Sequence, residues 1–565
     1  MKTKSLTLLL LLGGIILFSA CNNKEKKIKE MEATFNTFMD SFLLKYKPLY
    51  TKSNEAYFTA AVSGKDEDFK IMSDLQIEMS KIFSNKEDFA KLEEIKKSGL
   101  IKEPTLARQL EVMYNSYKMY QIDEKKIEEM IKLSTAIEQK FNTYRAVVNG
   151  DSLSDNEIEE TLKNETNSEK LQQTWLAHKN IGQVVAEDVI KLVKMRNEAA
   201  KELGFNNFHE MSLKLREQNP EEVLKLFDEL DKLTADAFAK EKQAIDDYFA
   251  KRYKVKPEEL MPWHYQNRFF QEAPNLYPVD LDIYYKDKKL EDLTASYFNG
   301  IGLNIDDMLK NSDLYEKPGK NQHAFCIDIN NEGDVRVLCN IRPNSYWMNT
   351  MLHEYGHAVY DKYIDMNLPF VLRDPAHTFT TEAIAQLFGK MASNPQWMVD
   401  MLGIDSTEKA KIANDCYMTT RLEMLVFSRW SQVMYRFEKA LYENPDQDLN
   451  KLWWDLVEKY QMMKRPADRN APDWASKIHI ATSPCYYHNY LLGELLSSQL
   501  YYYMVKNIVK SDDYKNQSFA GNAEVGQYLL KKVFKPGALY PWNEMIEKAT
   551  GEKLTAKYYA EQWMK

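Results

Sequence analysis

Apolar residues recur at helical spacing along most of this chain, and Gly and Pro, which interrupt such runs, are sparse. The runs 155–163, 168–203 and 221–250 carry the pattern at length. The chain reads as one helix after another. One stretch departs from it. Ala324-Phe325-Cys326-Ile327-Asp328-Ile329 and Val335-Arg336-Val337-Leu338-Cys339 flank a turn-rich segment, residues 330–334, which is the pattern of a β-hairpin. Just downstream, residues 349–360 and 379–388 predict two more helices. Leu368-Pro369 and Arg373-Asp374-Pro375 mark the connection between them. The predicted class is mainly α, a large multi-helix fold with a small β-hairpin beside helix 349–360.

No Gly/Ser/Pro-rich linker and no internal repeat divides the chain, so residues 31–565 read as a single helical domain. A net charge of −9, without a basic stripe interleaved with aromatics, argues against a nucleic-acid partner. Lys2 and Lys4 followed by an apolar run, residues 8–17, form a targeting segment too short to span a bilayer comfortably. Leu17-Phe18-Ser19-Ala20-Cys21 resembles a bacterial lipoprotein signal. That resemblance implies a signal peptide over 1–20, a polar tether over 21–30, and a membrane anchor through lipidated Cys21 in the bacterial cell envelope. An ordinary secretory signal or a weak membrane anchor is the alternative reading. No Asp follows Cys21, which leans the expectation towards the outer membrane. Of five cysteines, Cys326 and Cys339 sit on the two arms of the hairpin, where an oxidising compartment allows pairing or leaves them free. Cys416 and Cys485 read as unpaired and buried, and the chain has no CxxC.

The most informative word is His353-Glu354-Tyr355-Gly356-His357, within helix 349–360. Residues four apart share one helix face, so two imidazoles there can hold one zinc ion. Zinc lowers the pKa of water towards neutrality, and the Glu after the first His stands where it can take the proton. Met351, Leu352, Ala358 and Val359 supply the apolar neighbours of a buried helix. A catalytic zinc needs a third protein ligand. Glu382 in helix 379–388 is the candidate, because a helix, a loop and an antiparallel helix return it to His353 and His357. His377, between Pro375 and the helix start, is the rival ligand.

A second cluster runs from Lys477 through His479 to Tyr486, Tyr487, His488, Asn489 and Tyr490. A peptidase needs donors for the oxyanion that forms when water attacks a carbonyl, and a cation suits a substrate carboxylate. Lys477, His479 and the tyrosines supply that inventory. The bland reading of Tyr486 and Tyr487 is a tyrosine-rich packed helix.

With these segments in view, the chain resembles the angiotensin-converting-enzyme family of zinc dipeptidyl carboxypeptidases. The resemblance rests on HEYGH with Glu382, on His323-Ala324-Phe325-Cys326, on the Lys477-x-His479 segment with its tyrosines, and on an upstream pattern. That last pattern runs from Trp175 to Val184 and on through Lys194, Asn197, Glu198 and Ala199. Together they span about residues 150–500. The resemblance implies a zincin fold with a deep central cleft between two subdomains, and Zn²⁺ held by His353, His357 and Glu382. It implies Glu354 as general base and later proton donor, with Tyr490 and His479 stabilising the oxyanion. Lys477, Tyr487 and Gln266 would hold the terminal carboxylate, and His323 and Ala324 would lie along the bound peptide. The chain departs from the family in several places. An extra residue between His479 and Tyr490 leaves Tyr486 and Tyr487 open to exchanging roles. Asn489 replaces a chloride-binding arginine, and Gln386 replaces an aspartate that supports a ligand. The gap from His357 to Glu382 resembles that of the thimet oligopeptidase and oligopeptidase F families.

The resemblance implies a peptidyl-dipeptidase acting on oligopeptides. An endo-oligopeptidase is the alternative within enzymes. A helical surface lipoprotein that binds ligands without catalysis is the alternative outside them.

Overall fold

A computed structural model describes residues 4–277, 279–321 and 323–564, with side chains from residue 23 onward except at 142, 143, 155 and 156. Among these are twenty-two α-helices and two two-stranded antiparallel sheets, the predicted mainly α class. Helices Asp155–Asn164, Ser168–Glu202 and Pro220–Tyr253 start and stop close to where periodicity placed them. Each begins at a side chain that accepts backbone N–H groups no helical carbonyl can reach. Ser154 and Glu157 form a reciprocal capping box, and Asn167 accepts from the Lys170 N–H. Asn219 caps a helix whose first residue is Pro220, where a missing N–H is no loss.

One continuous core includes side chains from Ile137 to Trp563. A smaller one, containing Phe35, Phe42, Leu92 and Tyr117, fixes the amino-terminal helices onto Val371, Leu372 and Ala538. Residues 23–30, within the segment 21–30 expected as a polar tether, are part of helix Lys4–Ser63. Lys and Glu favour helices, neither Gly nor Pro stands among these residues, and Lys26 and Glu30 pair one turn apart at 3.8 Å. Residues 1–3 and the side chains of 4–22 lie outside the described residues, and with them Cys21 and the expected leader. Among the described residues no helix is long and apolar enough to cross a membrane.

The expected hairpin forms from Phe325–Asp328 and Val335–Leu338. Its register sets Cys326 opposite Val337, not Cys339, and both thiols are free. A further hairpin joins Ala146–Val148 to Asp151–Leu153. It turns at Asn149-Gly150, both with positive φ, the pairing that tight hairpin turns favour. Periodicity alone did not reveal it, because each strand has only three residues.

Three helices position the site: Ser345–Lys362, Thr378–Gly389 and His488–Met504. Thr378–Gly389 lies between the other two. Gly356 lets the first helix close on it, since a Cβ there would sit 2.8 Å from the Ala385 Cα. Gly493 does the same from the other side, where a Cβ would sit 3.1 Å from the Glu382 Cγ. Gly inside a helix is unfavourable by about 1 kcal/mol relative to Ala. Here the missing side chains are what allow the three backbones to approach.

Candidate active site

Asn344 accepts the Trp347 N–H and starts the helix that carries the HEYGH word. One turn apart on it, the His353 and His357 rings lie 5.0 Å apart between centroids. Glu382, from Thr378–Gly389, faces both: its two carboxylate oxygens lie 3.7 Å from His353 Nε2 and 3.6 Å from His357 Nε2. One donor atom from each residue lies within 4.8 Å of the others. Donors bound at 2.0–2.2 Å to a tetrahedral zinc stand roughly 3.3–3.6 Å apart, so this nitrogen, nitrogen and oxygen set fits that ion. Thr381 completes the fit. Its hydroxyl lies 2.8 Å from His357 Nδ1, which leaves Nε2 to face Glu382. Thr381 was not singled out in the sequence, although it precedes Glu382 in the same helix.

Burial dominates the electrostatics. It holds His353 well below the ordinary histidine range, helped by His357 and Lys390, and brings His357 down to about 4. Both imidazoles are therefore neutral, the form that binds metal. Burial and then the charge of Glu494 push Glu382 up to about 7. Burial and then Glu382 push Glu354 up to about 8, against a hydrogen bond from the Cys326 backbone N–H. A divalent cation among these atoms would relieve both carboxylates.

His377 is not part of this set. Its Nδ1 accepts the Phe379 N–H at 3.2 Å and caps the helix that carries Glu382. Gln386, which stands where the family has an aspartate that supports a ligand, turns away from the histidines. Its amide donates to the Tyr490 carbonyl at 3.2 Å, while its Oε1 has no partner among the described residues. It sits one turn beyond Glu382 on the side facing Gly493, away from the histidines.

The downstream cluster lies along the same wall. Tyr490 is next to Glu382, and burial and then that carboxylate raise its phenol above the ordinary range. Its ring is 5.4 Å from those of both Tyr486 and Tyr487. Tyr486 also feels Glu382, whereas Tyr487 turns to Trp430, whose indole N–H donates to its hydroxyl at 2.8 Å. Tyr487 is the tyrosine beside Lys477, with Nζ 5.3 Å from its ring centroid. The His479 ring stands 5.2 Å from Tyr487, and burial with the Lys477 charge keeps it neutral, at about 4.

Lys477 is 8% exposed and donates to Gln271 Oε1 at 2.6 Å. Burial, then Arg268, bring it down to about 8. Gln266, the residue expected here, is elsewhere: its amide donates to the Lys163 carbonyl at 2.9 Å. Gln266 and Phe270 both have positive φ, so the chain turns twice within five residues and brings Gln271 to Lys477 instead. No helical or strand period runs through this stretch to reveal that.

His323 is exposed, two residues before the strand Phe325–Asp328 begins. The Cys326 N–H that reaches Glu354 points the strand edge carrying Ala324 and Cys326 towards the site. Asn489 accepts from Gln218 at 2.8 Å, and Gln218 in turn meets His488 Nε2 at 2.7 Å. A neutral, closed chain of hydrogen bonds thus stands where the resemblance expects an arginine.

A family model described as Peptidase M2, angiotensin-converting enzyme, matches residues 29–561. The chain is 24% identical over 310 residues to an angiotensin-converting enzyme of Theromyzon tessulatum, covering 52% of this chain and 50% of that protein. It is 22% identical over 415 residues to an angiotensin-converting enzyme of Mus musculus, covering 68% and 31%. It is 24% identical over 253 residues to thermostable carboxypeptidase 1 of Pyrococcus furiosus, covering 41% and 50%. The chain thus spans half or less of the length of these relatives.

Proposed function

Because this chain belongs to the angiotensin-converting enzyme family, peptidase M2, we propose that it is a zinc metallopeptidase that shortens oligopeptides from their C-terminus by releasing dipeptides. The observation that carries the reading is a single wall of side chains. It runs from His353, His357 and Glu382, past Tyr490, to His479, Tyr487 and the buried cation of Lys477.

His353, His357 and Glu382 would hold zinc, which when bound supplies a Lewis acid for the scissile carbonyl and acidifies water. Glu354, one residue beyond the first ligand, takes the proton from the attacking water and passes it to the leaving amine. The Tyr490 hydroxyl, with neutral His479 beside it, donates to the oxygen on which charge develops. Lys477 and Gln271 hold the substrate's terminal carboxylate, with Tyr487 closing that end. The strand edge at Ala324 offers backbone groups to an extended peptide.

An endo-oligopeptidase would share the metal set and Glu354 but has no use for a buried cation at the end of the wall. Lys477 favours the exopeptidase. A binding lipoprotein would need neither Glu354 nor Tyr490. The chain's place in a bacterial cell envelope, held through lipidated Cys21, is part of the same proposal and rests on residues 17–21.

One decapeptide, as free acid and as amide, incubated with purified protein with and without a zinc chelator, tests the reading by mass spectrometry. Chelator-sensitive loss of C-terminal dipeptides from the acid alone is expected. Internal cuts in both forms would move the activity to the endo-oligopeptidase. No chelator-sensitive cleavage would overturn the peptidase reading.

A further inference from the structure

Helix Phe208–Leu215 ends on a residue type that such an ending does not favour. The Gln218 N–H donates to the Leu213 carbonyl at 2.9 Å, and the Glu217 N–H to the Lys214 carbonyl at 3.0 Å. That pair of bonds closes a helix through one left-handed residue, usually glycine. Here it is Glu217, with a φ of 63°. A side chain in that region is strained, and the conformation persists where its surroundings over-determine it. Arg108 supplies that constraint. It comes from helix Pro104–Met119, one of the amino-terminal helices. Its guanidinium takes both Glu217 carboxylate oxygens, one of them at 2.8 Å, and its Nε donates to the Ala538 carbonyl at 2.7 Å. The Trp542 indole N–H reaches the Glu217 carbonyl at 2.8 Å. Glu217 is thus pinned by its side chain and by its backbone.

The next residue inherits the fixed place. Gln218 is 2% exposed, and both ends of its amide are used. Its Oε1 accepts from His488 Nε2 at 2.7 Å, and its Nε2 donates to Asn489 Oδ1 at 2.8 Å. Burial, and then the surrounding His209, His377 and Arg216, keep the His488 ring neutral, so it donates from Nε2. His488 and Asn489 are buried as well, and they open helix His488–Met504 immediately before Tyr490. That helix starts without a side-chain cap, and Gln218 holds its first two residues from outside. An apolar side chain at 218 would make neither bond, and a carboxylate would lose the one to Asn489.

We infer that Gln218 is a positioning residue for Tyr490, and that Arg108, through Glu217, makes that position depend on the amino-terminal helices. The inference rests on the proposed role of Tyr490 as oxyanion donor. Gln218 touches no reacting atom. It sets where the first turn of the helix stands, and the Tyr490 phenol swings with that turn. A displacement of about 1 Å at a donor of this kind costs up to about 10²-fold in rate.

Steady-state kinetics of the zinc-loaded full chain on one free-acid peptide test it, in the natural background and in Tyr490→Phe. Gln218→Met, of similar length but without either bond, should lower kcat by about tenfold, with KM within about twofold and zinc content unchanged. In the Tyr490→Phe background the same substitution should lower kcat by less than about twofold, because the hydroxyl it positions is already gone. Arg108→Lys keeps the charge but cannot bridge both Glu217 oxygens. It should cost about two- to threefold, and that loss should also vanish without the Tyr490 hydroxyl. An unchanged kcat in Gln218→Met overturns the inference. So does an equal loss in both backgrounds, which marks a general structural role. Should Gln218→Met not fold, the two-background comparison of Arg108→Lys decides in the same way. If Tyr490→Phe itself leaves kcat unchanged, the oxyanion reading has failed and the positioning role falls with it. If Tyr490→Phe is slow but neither substitution depends on it, the positioning role alone has failed.

Discussion

The metal-ligand wall and the carboxylate end of the same site are built differently. His353, His357 and Glu382 come from two regular helices. The spacing of the two histidines follows from turns of 3.6 residues, and Glu382 reaches them through the close packing of the two helices at Gly356. Lys477, Gln271 and Tyr487 come from irregular segments that meet only in the folded chain. A helix carries its geometry inside the sequence word. A loop carries it in dihedral angles such as those at Gln266 and Phe270. The first region is therefore expected to act as a unit, and the second to tolerate change by degrees.

The sharpest break is Glu354→Gln. Turnover should fall by about 10³-fold while zinc content, measured by plasma mass spectrometry, stays the same. Retained turnover would remove Glu354 as the base. Next, Tyr490→Phe should lower kcat by about 10²-fold, whereas Tyr486→Phe, on the same face of Glu382, should change it by less than about threefold. The reverse order in steady-state kinetics would exchange the two tyrosines. Thr381→Val removes the support for His357 and should weaken zinc binding by about 10-fold or more, read by competition with a chromogenic chelator.

The other end gives smaller effects. Gln271→Leu should raise KM for free-acid peptides by about tenfold, while Gln266→Leu should leave it unchanged. An effect at Gln266 alone would return that residue to the clamp. The smallest effect is in pH. Lys477 carries its proton below about 8 and loses it above. For free-acid peptides kcat/KM should therefore decline by a few-fold as pH rises through 8, and for the matching amides that step should be absent. Arg268 lowers the charge on Lys477, and Glu272 and Glu159 support it. A step of equal size in both substrate forms would belong to another group.

The same contrast explains what was legible in the sequence. The helices, the second hairpin of the chain and the group of His353, His357 and Glu382 follow from period and spacing, which the folded chain preserves. Gln271 was missed because the residue chosen, Gln266, is itself left-handed and a second left-handed residue, Phe270, lies between the two. Thr381 was missed because a hydroxyl beside a ligand has no spacing signature of its own. Asn149-Gly150 did signal its hairpin, but its strands are too short to show alternation.

The bare positions at Gly356 and Gly493 have a consequence for ion choice. The Glu382 helix meets the first helix backbone to backbone at Gly356, and meets the third through the Glu382 and Gln386 side chains at Gly493. This close approach sets the two Glu382 carboxylate oxygens 3.7 Å and 3.6 Å from the two imidazoles. A donor set this close and this small discriminates by radius and by number. Calcium, which asks for six to eight oxygens at about 2.3–2.6 Å, finds neither the spread nor the chemistry here. The two glycines thus act as a gauge for the metal without touching it.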